Sequence, residues 1–392
     1  MKRIVIIAVL FIYANIFANT GKLNLTKGME KYRLPNGMTV VLKRDSSSPL
    51  VGLAVLYRVG FRNEQKGKSG LTHLLEHMMF KGTKRYGKGE IAKTLHSVGA
   101  EFNAFTSYDK TVYWEVLPSD SLELAMDIEA DRMQNSLLDP KEFEKEKQVV
   151  LSELNMHEGN PMVKLRHAMY KKAFGDHPFA WDYGFIDEVK NASRDYVYNE
   201  LYKKYYVPNN ATVFVVGNYD AREVKKLINR YFGKLKRNPR FKQSKVKPIK
   251  WNLGETVRLK GVASENFGNI LFKLPAANIN DDDYIALSFL EWSNMLGGFY
   301  YWDTPDGGVG YLGFSKEPDY PAESLSDAFI KKNLADFKAR VINRERMDYD
   351  SISSIMMSLV WLESKFGAEH YAELIKKMNA LSSDKLIAVV HK

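Results

Sequence analysis

Short β-branched runs alternate with helix-period segments, and that alternation restricts this chain to sheets packed on helices. Met38–Lys43 and Leu50–Arg58 are apolar and β-branched and read as strands of one sheet. Gly70–Phe80 follows, with Leu71, Leu74, Leu75 and Met78 at helical spacing. Gly89–Val98 reads as another helix, with Gly99 at the position after its end that favours a left-handed backbone. From Glu101 to Leu117 the pattern returns to strand, with a turn around Ser107–Lys110. Leu122–Arg132 is helical, and Asp139, Pro140 and Glu142 mark the cap, first and third positions of the next helix. Ala211–Gly217 is a continuous apolar strand after the turn residues Pro208-Asn209-Asn210. Further on, Gly268–Leu274, Tyr284–Leu296 and Leu325–Arg340 predict strand, helix and long helix.

Charge marks the seam between the two halves. The net charge is +10, and eight cations with no acid lie between Lys234 and Lys250. Lys2 and Arg3 add two more, so the remainder is neutral. A nucleic-acid binder spreads its cations over a folded face with aromatics between them. Here they sit in a Pro- and Gly-containing linker, so nucleic acid is not an expected partner. The reading places an N-terminal domain at 19–232, the basic linker at 233–250 and a second, abbreviated domain at 251–392. Cysteine is absent, which excludes disulfides, thiolate-bound zinc and a thiol nucleophile.

Residues 1–18 read as an export signal. Lys2 and Arg3 precede an apolar run from Ile4 to Ala14, and Ala18 is a small residue at an expected cleavage point. The run is shorter than the ~20 apolar residues that span a bilayer. Membrane attachment would therefore arise only from an uncleaved signal, and the expected location is the periplasm or the exterior.

Chemistry concentrates in "HLLEH". His73 and His77 are four apart on one helical face, and Glu76 shares that face. Two imidazoles so placed can bind one Zn²⁺ at ~2.0–2.1 Å each. Glu76 then stands as a general base toward water activated by the metal. The H-x-x-E-H order is the inverzincin signature. A third ligand is needed, and "EKEKQVVLSEL" offers Glu146 and Glu153, seven apart on one face. Either can ligate while the other orients a histidine; spacing does not choose between them.

The segments "SGLTHLLEHMMFKGT", "GAEFNAFTSYDKTVYWEVLP" and "FEKEKQVVLSELNMHEGNP" closely resemble, in order and spacing, the pitrilysin-type zinc peptidases. That family includes insulin-degrading enzyme and mitochondrial processing peptidase, and the resemblance covers roughly residues 28–232. It implies an α+β fold of two structurally related domains, each a mainly antiparallel sheet covered by helices. It also implies zinc on His73, His77 and Glu153, with Glu76 as catalytic base and Glu146 supporting a ligand histidine. Asn103, Ala104 and Phe105 match the strand edge that takes an extended peptide by β-augmentation, and Phe80 lines the adjoining pocket.

The second half departs from this pattern. Active relatives carry an arginine and a tyrosine seven residues apart there. Tyr311 fits the tyrosine, but Thr304 stands at the arginine position, and no arginine occurs between Arg258 and Arg340. Positive charge at a developing oxyanion is worth several kcal/mol. The expected function is a zinc metalloendopeptidase of extended peptides or unfolded protein, working as a homodimer or with a homologous subunit that supplies the arginine. A non-catalytic subunit and a peptide-binding module are the alternatives.

Overall fold

The computed structural model describes residues 25–181, 184–246, 249–250, 268–295, 299–314 and 326–392. The export signal lies outside the described residues, as do parts of the basic segment and all of 251–267.

Six strands form the first sheet: β1 (Met29–Arg33), β2 (Thr39–Arg44), β3 (Leu50–Tyr57), β4 (Glu101–Thr106), β5 (Thr111–Pro118) and β6 (Ala211–Gly217). Their spatial order is β1-β2-β6-β3-β5-β4. Every neighbour is antiparallel except β2 and β6, which run parallel. The central position of β6 explains its unbroken apolar sequence, since all seven residues are buried. In the register Ala54 lies opposite both Trp114 and Phe214.

Helices of two turns or more in this half are α1 (Leu71–Met78), α2 (Glu90–Ser97), α3 (Leu122–Asn135), α4 (Pro140–Glu158), α5 (Pro161–Phe174) and α6 (Ala221–Tyr231). Alternation along β3 divides the core. Leu53, Val55 and Tyr57 join Leu71, Leu74, Leu75 and Met78 on one face. Ala54 and Leu56 face the other way. The capping signals hold: Asp139 accepts hydrogen bonds from the Lys141 and Glu142 amides, and Gly99 has φ +73.

The second half supplies a three-stranded antiparallel sheet of β7 (Gly268–Leu274), β8 (Phe299–Thr304) and β9 (Gly307–Phe314), ordered β7-β9-β8. Its helices are α7 (Asp282–Trp292), α8 (Asp327–Met347), α9 (Ile352–Lys365), α10 (Tyr371–Ala380) and α11 (Ser383–Val390). The long helix predicted to end at Arg340 runs on to Met347, and the sequence reading predicts no elements where α9 to α11 lie. The fold is α+β with mostly antiparallel sheets. Unexpectedly, α9 covers the back of the first sheet, so that sheet is buried by helices from both halves. Ile352, Ile355, Met356 and Leu359 pack with Ala54, Leu56, Phe214 and Val216. Gly52 makes this approach possible, because a Cβ there would lie 2.9 Å from the Met356 sulfur. Among the described residues no helix is long and apolar enough to cross a membrane.

Candidate metal centre

The start of α1 is held from below. Glu64 is buried and accepts hydrogen bonds from the Gly70 amide (3.0 Å), the Thr72 amide (2.7 Å) and the Thr72 hydroxyl (2.7 Å). Burial pushes its carboxyl up to about 7, against the three donors that hold it down. Gly70 begins the helix at φ +77, and Gly184 approaches so closely that a Cβ on it would lie 2.4 Å from the Gly70 Cα. Buried Leu71, Leu74, Leu75 and Met78 then fix the rotation of the helix about its axis. That rotation turns His73 and His77 to the same side, with Nε2 atoms 3.3 Å apart and rings at 85°.

α4 packs across α1 and brings both candidate acids to these imidazoles. Glu153 Oε2 lies 3.6 Å from His77 Nε2 and 3.9 Å from His73 Nε2. Glu146 lies two turns earlier on α4, and His77 Nδ1 donates to its Oε1 at 3.0 Å. Lys81 reaches the other Glu146 oxygen at 2.6 Å. Burial raises the Glu146 carboxyl, but His77 and Lys81 outweigh it and the net shift is downward. The ionised Glu146 therefore holds the Nδ1 proton of His77, so Nε2 is the nitrogen a metal would take; burial lowers the His77 imidazolium, but Glu146 and Glu153 outweigh it and the net shift is upward.

The donor set fits zinc. Three ligands at ~2.0–2.2 Å from one tetrahedral ion stand about 3.3 Å apart. His73, His77 and Glu153 each offer an atom within 4.8 Å of the others, and the nitrogen pair is at 3.3 Å. Two imidazole nitrogens and a carboxylate oxygen also match the donors zinc prefers. Burial keeps His73 neutral, pulling its imidazolium down to about 3 with further help from His77 and His157.

Glu76 lies next to this group without being one of its three donors. Its Oε2 accepts the Thr106 hydroxyl at 2.5 Å. Burial lifts the carboxyl to about 6, with Thr106 and His77 opposing. Spacing along the chain gives no sign of Glu64 or Lys81 at this site. Only Thr106 had a signal, lying at the end of the strand that carries Asn103.

Asn103, Ala104 and Phe105 are on β4, the outermost strand, bonded only to β5 on its inner side. Asn103 is exposed, and its side-chain oxygen accepts the Ala104 amide at 2.8 Å. Phe80 sits just beyond α1, its ring 6.3 Å from Phe102 and 6.0 Å from Tyr113. Tyr311 is not brought to the histidines. It lies on β9 stacked on Tyr300 at 4.7 Å, in a cavity of the second half whose walls include none of His73, Glu76, His77 or Glu153.

Comparison with known proteins places these features in context. Residues 39–181 match the family described as Insulinase (Peptidase family M16), and residues 197–337 match the Peptidase M16 inactive domain. The zinc protease PqqE of Helicobacter pylori is 35% identical over 210 residues, covering 53% of this chain and 47% of that protein. The chain spans about half the length of the curated relatives it matches first. A crystal structure of a protease from Helicobacter pylori superposes with a TM-score of 0.81 at 24% identity, covering 93% of this chain and 95% of that one. The periplasmic protease PqqL from Escherichia coli superposes at 0.72 with 19% identity, covering 94% of this chain but 46% of PqqL.

Proposed function

Since the chain belongs to the M16 family of zinc peptidases, we propose that it is an exported zinc metalloendopeptidase that cuts extended peptides. The observation carrying this is the convergence of His73, His77 and Glu153 on one point, with Glu76 beside them.

His73 and His77 through Nε2, and Glu153 through a carboxylate oxygen, would hold the zinc. Bound there, zinc supplies Lewis acidity, which polarises a carbonyl and lowers the pKa of water to about 7. Glu76 performs the proton transfers. Thr106 occupies Oε2, which leaves Oε1 to take the proton from attacking water. The hydroxide oxygen bonds to the peptide carbon, the carbon–nitrogen bond breaks, and Glu76 returns its proton to the leaving amine. β4 would hold the substrate, because its free edge offers main-chain groups around Asn103–Phe105 to an added strand. Glu146 and Lys81 act one step away, by keeping His77 oriented.

A second copy or a homologous partner completes the enzyme in this reading. Thr304 stands where an arginine is expected, and the chain aligns with 46% of PqqL, so one PqqL chain is long enough for two such units. The signal-like residues 1–18 and the periplasmic location of PqqL support export. The absent arginine also supports the alternative of a weakly active subunit. The deciding experiment measures zinc by metal analysis and cleavage of a quenched peptide by the purified protein. About one zinc per chain is expected, with cleavage abolished by a chelator, restored by zinc and lost in Glu76→Gln. Zinc binding without cleavage, alone or with a homologous subunit, would reject the enzyme reading.

A further inference from the structure

The two sheets repeat one motif. In the first half β3 is followed by α1 and α2 and then by β4 and β5, and the three strands lie in the order β3-β5-β4. In the second half a single helix, α7, stands between β7 and the pair β8 and β9, and the strand order β7-β9-β8 is the same. α7 packs on β8 as α1 packs on β4. Aligned on their glutamates, His73-Leu74-Leu75-Glu76-His77 in α1 runs beside Ser288-Phe289-Leu290-Glu291-Trp292 in α7. Phe289 and Leu290 are buried, as Leu74 and Leu75 are. In that alignment Glu291 corresponds to Glu76, and serine and tryptophan take the positions of the two imidazoles. That pair cannot hold zinc.

What stands there instead is a cavity of about 1170 Å³. Trp292, Tyr300, Tyr311 and Trp361 contribute to its wall. Tyr300 and Trp361 are 52% and 42% exposed, unusual for rings of this size in one place. Both are held in position: Tyr300 stacks on Tyr311, and Trp361 stacks on Phe105 at 5.8 Å and 13°, with the Lys110 ammonium 4.0 Å from its ring. Phe105 belongs to β4, so the cavity wall continues into the open strand edge.

Pleating links that edge to the cavity. Phe102 and Ala104 pack toward the α1 face of the first sheet, and Phe105 packs toward the α9 face. A peptide added to β4 continues the pleat and sends alternate side chains to the two faces. Side chains of one parity would then lie on the face that carries the Phe105–Trp361 stack. We propose that the second-half cavity is a recognition subsite for bulky aromatic side chains of a peptide lying along β4. This deepens the peptidase reading and rests on it for the placement of the peptide.

Charge in the cavity argues against a basic occupant. Four cationic side chains and three carboxylates line it. Asp303 is taken by Lys365 at 2.6 Å and Tyr284 at 2.8 Å, and Asp348 by Tyr371 at 3.0 Å. Glu291 remains, and burial pushes it up to about 7, so it is a weak counter-charge.

The test uses the zinc-loaded full chain and quenched peptides with Phe or Ala placed at one position at a time. An about ten-fold preference for Phe in kcat/KM is expected at positions of one parity, which Trp361→Ala and Tyr300→Ala each reduce to about three-fold or less. Trp361→Phe should retain it, and preferences at the other parity should not change. Binding of the same peptides to Glu76→Gln, read by fluorescence anisotropy, gives a readout independent of hydrolysis. A Phe preference in binding that disappears with Trp361→Ala sustains the subsite even if the wild type cuts nothing, in which case only the peptidase reading falls. Cleavage with no Phe preference, a preference untouched by both substitutions, or a lysine preference abolished by Glu291→Gln would overturn the proposal.

Discussion

Arg132 is fully buried, with its guanidinium carbon 4.7 Å from the Phe80 ring and 4.8 Å from the Tyr113 ring. Glu129 meets it at 2.6 Å and Glu115 at 3.9 Å, both equally buried. One cation cannot neutralise two carboxylates in such a place. Burial, then Glu129, drives the Glu115 carboxyl well above the usual range, so Glu115 keeps its proton. Glu115→Gln should therefore change stability by less than about 1 kcal/mol, whereas Arg132→Ala, which strands Glu129, should cost about 3–5 kcal/mol in urea unfolding. Glu64 gives the opposite kind of test. Its folded value is raised, to about 7 from 4.5, so its contribution to stability is full below 4.5 and is lost as pH rises toward 7. Relative to Glu64→Gln, the wild type should lose about 3 kcal/mol between pH 4.5 and 7.5. A flat difference across that window would show that Glu64 is ionised throughout.

At the scale of elements, α1 and α4 together carry the candidate metal ligands, and each is positioned by contacts away from them. The start of α1 depends on two glycines in contact. Gly184→Ala would put a methyl 2.4 Å from the Gly70 Cα, at a backbone φ of +102 that alanine tolerates poorly. The start of α1 must then move. Zinc affinity should fall by roughly ten- to a hundred-fold, a loss comparable to that from removing a residue that orients a ligand, as measured by competition with a chromophoric chelator. An unchanged affinity would mean that packing of Leu71, Leu74 and Leu75 alone sets the helix. In α4 the seven-residue spacing of Glu146 and Glu153 puts them on one face, and the crossing over α1 assigns one to each side of His77.

Across the whole molecule the halves are joined at a hairpin tip. Arg62 donates twice to Asp306 at 2.7 Å, and Tyr108 donates to the same carboxylate at 3.2 Å. Asp306 lies in the turn between β8 and β9, and Tyr108 in the turn between β4 and β5, so the corresponding turns of the two motifs meet. Tyr108, Phe179 and Val309 are fully buried around them. Asp306→Ala leaves Arg62 unpaired in a mostly buried position and should destabilise the chain by about 2–4 kcal/mol. Hydrogen exchange should show faster opening of both turns while the centre of the first sheet stays protected. Uniform loss of protection would mean that the two halves unfold as one cooperative unit.

Relations between near neighbours are legible in the amino-acid order alone. Helix period puts His73, Glu76 and His77 on one face, Asp139 and Pro140 start α4, and Gly99 ends α2, because each depends on the backbone within one or two turns. Distant pairings are not legible there. The choice between Glu146 and Glu153, the Thr106 hydroxyl on Glu76 and the placing of α9 on the back of the first sheet all require two segments to be packed in register. Such contacts depend on how side chains interlock across elements far apart in the chain, and linear spacing holds no record of that.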